Sequence, residues 1–263
     1  MKNALYQRYM KIVTPYRAVS HTSTLMKTGT LTPDEFVAAG DALIALCPRW
    51  SWSSADASRR HDFLPADKQY LVNRGVLCEK RVKDLAAEVE NETETPDGWI
   101  QMGEVTSAKV VDLDEAMADD AEDFEGIDID AIVGDTDAPT DVTLRYYDLM
   151  IVYNVYYKGV PQMFLSGFGH DGKRVLSFEE IKEDVSAEHA EKTVTYEDHP
   201  FLPGKFATIH PCQHAHMMMS FVQRLEHPEK FCAPAYLFLF LTFIHTCLPT
   251  FNLDTQPLEV ADI

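Results

Sequence analysis

The chain has 263 residues, 46% of them hydrophobic, enough to bury the core of one large or two small domains, and a net charge of −19. That charge is local: residues 84 to 141 hold twenty Asp or Glu against the single basic Lys109, while the remainder balances at twenty-two of each sign, so nothing favours a nucleic-acid partner. Five scattered cysteines, Cys47, Cys78, Cys212, Cys232 and Cys247, argue against a disulfide framework and for a reducing cytosol, and no apolar secretory segment opens the chain.

The first thirty-three residues carry five basic residues and no acidic one. Within residues 1–16, Leu5, Tyr9, Ile12, Val13 and Tyr16 recur at helical spacing, with Tyr6 and Met10 on the margin. Asn3, Gln7, Arg8, Lys11 and Thr14 take the other side. The pattern predicts a basic amphipathic helix ending near Pro15. Pattern alone supports two destinations for its apolar stripe equally: docking on the domain, or lying in a membrane interface with the basic residues near anionic headgroups.

Thr32 followed by Pro33 and Glu35 is a helix start with a capping threonine, proline at the first position and a glutamate reaching back, and Phe36, Val37, Leu43 and Ile44 give that helix a core face. Trp50 and Trp52, two apart on an extended piece, face one side and read as core. Tyr70 to Val72 and Gly75 to Val82, joined through Asn73-Arg74-Gly75, predict a β-hairpin. The acidic segment 84–141 has few aromatics and dense like charge, so the sequence predicts that it is largely disordered. Order resumes with a strand through Leu144, Tyr146, Leu149, Ile151, Tyr153 and Val155, and another over Gln162 to Phe168. A short helix follows within Ser177 to Ala190, then an extended piece over Thr193 to Tyr196. Tyr236 to Leu248 is strongly apolar, but thirteen residues containing His245 are too few to span a bilayer and predict a buried helix. The fold class is therefore α+β, an antiparallel sheet with flanking helices whose two halves pair across the acidic insertion.

Thr208-Ile209-His210-Pro211-Cys212-Gln213-His214-Ala215-His216 carries the chemistry. Pro211 fixes its own φ and drives His210 to an extended conformation, so Cys212 falls at a turn. Gln213 to Leu225, with Ala215, Met218, Met219, Phe221, Val222 and Leu225, continues as a helix with an apolar stripe. The helix start brings unpaired N–H groups and partial positive charge near the thiol and favours its nucleophilic form. Two other readings stay open: a packing cysteine beside surface histidines, and a metal held by the His-x-Cys-x-His-x-His spacing, although structural zinc sites draw ligands from two separated pairs.

The segment from Lys192-Thr193-Val194-Thr195 through His199-Pro200 to His210-Pro211-Cys212-Gln213-His214-Ala215 resembles the active-site segment of the autophagy-related protein three family. Members are ubiquitin-conjugating-enzyme-like enzymes that pass a ubiquitin-like modifier to phosphatidylethanolamine. The similarity includes Thr32 to Asp41, Cys47-Pro48 with Trp50 and Trp52, Leu64-Pro65, Lys68 to Val72, Arg145 to Tyr157 and Tyr236 to Thr250.

The resemblance implies a ubiquitin-conjugating-enzyme-like core in two parts, 17–83 and 142–263, split by a flexible acidic insertion, with residues 1–16 as the membrane contact through Leu5, Tyr9, Ile12 and Val13. It implies that Cys212 carries the modifier as a thioester and that Thr193 is functional, where spacing alone reads a strand threonine. Phe124-Glu125-Gly126-Ile127, preceded by acidic residues, resembles the short motif that adds a strand to the modifier, so Phe124 and Ile127 are candidate contacts. Alternatively, residues 105–135 resemble the region that meets the activating enzyme. The implied partners are the modifier, its activating enzyme, a phosphatidylethanolamine membrane and a second conjugate acting as ligase, with no cofactor and no metal. The implied location is the cytoplasm, with transient residence at autophagic membranes. The stretch Glu226 to Pro234 is much shorter than the second insertion of better-known members.

From the residues, backbone N–H groups of Gln213 and His214 are candidate donors to a tetrahedral oxyanion. His210 and Pro211 read as shaping the turn more than moving protons. A Cys–His thiol hydrolase using His214 or His199 as base, and a catalytically silent membrane-associated adaptor, are the rival functions.

Overall fold

The computed structural model describes residues 19–85, 144–186, 190 and 192–253. The amphipathic residues Leu5, Tyr9, Ile12 and Val13, and Phe124 and Ile127 of the acidic segment, lie outside the described residues.

The described elements run α1 (Leu25–Thr28), α2 (Pro33–Leu46), β1 (Trp50–Ser53), β2 (Tyr70–Cys78), β3 (Arg145–Asn154) and β4 (Val160–Phe168). They continue with α3 (Phe178–Lys182), β5 (Val194–Asp198), β6 (Lys205–Ile209), α4 (His214–Arg224) and α5 (Tyr236–Cys247). The six strands form one sheet in the order β1-β2-β3-β4-β6-β5, every pair antiparallel. This is the α+β architecture expected.

α2 begins as its sequence dictates. Thr32 Oγ1 accepts the Glu35 N–H at 3.2 Å, Glu35 Oε2 accepts the Thr32 N–H at 2.8 Å, and Pro33 occupies the first turn, where its missing N–H costs nothing. A second such box, Ser177 with Glu180, starts α3. Trp50 is buried on β1. Trp52, two residues on, packs edge-on against Phe36 and lies so close to Gly40 that an added Cβ would stand 2.2 Å from its Cζ2. Both tryptophans therefore serve packing, as spacing suggested.

β3 is the central strand, and its alternation divides the core. Tyr147, Leu149, Ile151 and Tyr153 face the helical layer with Phe36 and Leu43 of α2 and Leu237, Phe240, Leu241 and Ile244 of α5. Met150 and Val152 face the other way, with Tyr70, Val72, Phe164 and Phe201. A strand covered on both sides has no polar face, which is why β3 reads as a nearly continuous apolar run. α5 is buried around most of its circumference. Among the described residues no helix is long and apolar enough to cross a membrane.

The hairpin expected over residues 70–82 does not form. β2 runs unbroken from Tyr70 to Cys78, and Asn73-Arg74-Gly75 makes a bulge against β3 between the pairs Asn73↔Leu149 and Val76↔Tyr147. Gly75 takes φ of 65°, as a reversing turn would also need. Asp148 settles the outcome from β3: its carboxylate accepts the Gly75 N–H at 3.1 Å and Arg74 Nη1 at 3.2 Å. The strands flanking the acidic insertion are thereby neighbours, Tyr70 to Cys78 pairing with Arg145 to Val152.

The roots of the insertion converge on one buried carboxylate. Asp184, after α3, accepts Arg81 Nη1 at 2.7 Å and Arg145 Nη1 at 2.9 Å, and the Tyr147 hydroxyl donates to the same group. Arg145 also reaches the Glu180 carbonyl at 2.6 Å and Glu183 Oε2 at 2.7 Å. Burial works to lower the Arg145 pKa, yet these carboxylates hold it above its ordinary value.

Candidate active site

β6 delivers the site. Its partner β5 pairs Val194 with Ile209, and the ladder extends one step further, the His210 N–H donating to the Thr193 carbonyl at 2.7 Å. Thr193 and His210, seventeen residues apart in sequence, therefore flank the end of the same ladder. Beyond it the chain cannot stay extended. His210 holds φ −64° and ψ 126°, as the residue before a proline must, and Pro211-Cys212-Gln213 form a single 3₁₀ turn before α4.

His210 caps that turn. Its Nδ1 accepts the Cys212 N–H at 3.3 Å, and its Nε2 lies 3.1 Å from the Tyr157 hydroxyl. Pro211 is buried beneath and Cys212 stands exposed, so the turn is anchored on one side and its thiol is presented on the other.

The other four cysteines differ. Cys78 and Cys247 are buried, and burial pushes both thiols up to about 11. Cys47 and Cys232 are half-buried. Exposure thus distinguishes Cys212, and the reading of it as a packing residue does not hold. The expected oxyanion donors are reduced by one, because the His214 N–H is spent on the Pro211 carbonyl.

The histidines around the thiol do not act as a group. His214 turns into the core between Phe240 and Phe243, and its Nδ1 lies 3.1 Å from the Pro161 carbonyl, to which it can only donate. His216 is exposed on α4. Among the described residues no group of three or more His, Cys, Asp or Glu could hold a metal. His199 is buried as well: its Nδ1 accepts from Phe201 N at 3.2 Å and Leu202 N at 3.0 Å, and Tyr70, Phe164 and Phe206 surround its ring. Burial brings His199 from 6.5 down to about 3 and His214 down to about 4. Neither can serve an exposed thiol as base, so the Cys–His hydrolase loses both of its proposed partners.

These two imidazoles make the fold acid-sensitive. The unfolded chain protonates them near 6.5, while the folded chain refuses the protons until about 3 and about 4. Their contribution is complete above pH 6.5 and is lost on descending from there. Each costs ~1.4 kcal/mol per pH unit through that window, so the pair removes about 4 kcal/mol between neutrality and pH 5. Urea unfolding at pH 7.5 and pH 5 measures this, and equal midpoints would refute it.

Sequence reasoning does not single out Tyr157 or Asp184 for any role. Neither sits at a recognisable motif spacing. Tyr157 belongs to a tyrosine pair visible in the sequence, but its partner His210 is fifty-three positions away.

A family model described as autophagocytosis associated protein, active-site domain, matches residues 35–255. Autophagy-related protein 3 of Arabidopsis thaliana is 35% identical over 282 residues, covering 88% of this chain and 88% of the relative. Its counterpart in Yarrowia lipolytica is 43% identical over 213 residues, covering 79% and 57% respectively. The Schizosaccharomyces pombe protein is 34% identical over 262 residues, covering 89% of this chain and 91% of its own.

Proposed function

The chain belongs to the autophagy-related protein 3 family of conjugating-enzyme-like proteins, and from that premise we propose that Cys212 accepts a ubiquitin-like autophagy modifier as a thioester and passes it to the amine of phosphatidylethanolamine. The observation that carries the proposal is the exposed Cys212 thiol on a turn capped by His210, inside the span matched by an active-site family model.

The chemistry balances in two steps. The Cys212 thiolate attacks the carbonyl carbon of the modifier's terminal glycine, held on the activating enzyme; a new C–S bond forms and the activating enzyme's thiol departs. The lipid amine then attacks the same carbon, a C–N bond forms, the C–S bond breaks, and the amine gives up a proton as Cys212 is regenerated. Thr193, whose carbonyl already braces His210, acts in the second step. His210 holds the turn. Residues 1–16 bring the membrane amine to the thiol through Leu5, Tyr9, Ile12 and Val13, and Phe124 and Ile127 of the insertion contact the modifier. The protein works from a cytoplasmic pool and visits autophagic membranes.

Purified protein incubated with modifier, activating enzyme and ATP tests this directly: an adduct cleaved by thiol is expected, and its absence would remove the proposal. Thr193→Ala and Leu5→Asp separate the two steps. Each should charge Cys212 normally and slow delivery to liposomes at least tenfold, Leu5→Asp because a charge on an interfacial apolar face costs a few kcal/mol. For Leu5→Asp the melting temperature should not move. A lowered melting temperature with normal liposome binding would place the stripe on the domain, and a charging defect in Thr193→Ala would make that threonine structural.

A further inference from the structure

The connection from β3 to β4 is braced on several sides. Lys158 takes φ of 60° and Gly159 φ of 91°. Gly159 also presses its backbone on Leu31, whose carbonyl oxygen would lie 1.9 Å from an added Cβ, and the Leu31 N–H donates to the Gly159 carbonyl at 2.9 Å. Asn154 Oδ1 accepts the Tyr157 N–H at 3.1 Å, while Asn154 Nδ2 donates to Gln162 Oε1 at 2.6 Å. A tyrosine on such a turn has its hydroxyl delivered to a defined place. That place is His210: Tyr157 Oη lies 3.1 Å from Nε2, and the two rings meet edge-on at 5.5 Å and 79°.

A neutral imidazole carries one proton on two nitrogens. Because His210 Nδ1 accepts the Cys212 N–H, that nitrogen is bare, the proton resides on Nε2, and Nε2–H donates to Tyr157 Oη. The other tautomer would aim Nδ1–H at the Cys212 N–H, two donors face to face, and the cap would open. Resting on the thioester reading of Cys212, we infer that Tyr157 is a positioning residue for that thiol. By accepting Nε2–H it holds His210 in the tautomer that can cap the turn, and so fixes where Cys212 stands when its acyl group is attacked.

Tyr157→Phe keeps the ring and removes the oxygen. Transfer from charged Cys212 to amine should fall about fivefold, the factor that one neutral hydrogen bond commands, with the melting temperature lowered by about 4 °C at most. Nitrogen-15 spectra of His210 at alkaline pH should show the Nε2–H tautomer in the wild type and a mixture in Tyr157→Phe. His210→Asn supplies a side-chain oxygen that accepts the Cys212 N–H without help, so adding Tyr157→Phe to it should cost nothing more. An unchanged tautomer, a wild-type transfer rate, or full additivity in the double variant would each overturn the role. If the wild type forms no adduct at all, the conjugating reading falls instead, and the tautomer measurement still decides whether Tyr157 sets the state of His210.

Discussion

With modifier, activating enzyme and ATP, Cys212→Ser is expected to accumulate an ester that survives hydroxylamine, while Cys212→Ala carries nothing and the wild type forms an adduct that thiol cleaves. Serine differs from cysteine here in its leaving group: an alkoxide departs from a tetrahedral intermediate far less readily than a thiolate, so the acyl group arrives and stays. The remaining cysteines should each tolerate serine without loss of charging. Cys78 and Cys247 are buried, and a thiol pushed up to about 11 is ionised at pH 7 in only about one molecule in ten thousand. Cys47 and Cys232 are half-buried. The same inequality governs alkylation, so limiting iodoacetamide should label Cys212 first. Loading that persists in Cys212→Ala would move the acyl site elsewhere and dissolve the assignment.

The turn that carries Cys212 was legible because its causes are local. A proline after His210 forces extension, the residues after Cys212 are helical, and a thiol between the two must sit on a turn; none of this needs a distant partner. α2 is legible for the same reason, Thr32 and Glu35 being three apart. The hairpin misreading of β2 shows the converse. Asn73-Arg74-Gly75 satisfies a reversing turn and a bulge equally, and the choice falls to Asp148, seventy-three residues beyond Gly75 in sequence. The histidines mislead alike: nothing near His214 announces that Pro161 will accept from it in the core, and His199 looks like a base until Phe201 and Leu202 occupy its Nδ1. Long-range partners also hide Tyr157. For residues 1–16 and for Phe124 and Ile127, periodicity and motif resemblance remain the whole argument.

The largest stability effect belongs to a residue that sequence reading passes over. Asp184→Asn should destabilise the fold by about 3–5 kcal/mol, the range for breaking a buried ion pair by removing one partner. The penalty arises from what is left behind. The side chains of Arg81 and Arg145 are 8% and 12% exposed, and the carboxylate they share is fully enclosed, so neither guanidinium can recover its lost charge from water. Arg145 retains Glu183; among the described residues the Arg81 side chain keeps only neutral partners, the Cys78 sulfur and the Lys80 carbonyl. Tyr147, whose pKa is raised by burial and then by the Asp184 charge, loses its charged acceptor as well. Against a total stability of about 5–15 kcal/mol this is a large fraction, visible as a fall in the urea midpoint. Arg81→Met combined with Asp184→Asn should recover part of the loss, because it removes the Arg81 guanidinium that the neutral amide leaves without a carboxylate, while Arg145 still has Glu183. Recovery would show that the cost is an uncompensated charge; a double variant as unstable as the sum of the singles would show instead that Arg81 and Asp184 are not coupled, and the charge argument would fall. Either way the consequence is topological. Arg81 precedes the acidic insertion and Arg145 follows it, so the carboxylate that joins them holds β2 beside β3 at the point where the sixty-three residues between the two arginines would otherwise let the strands part.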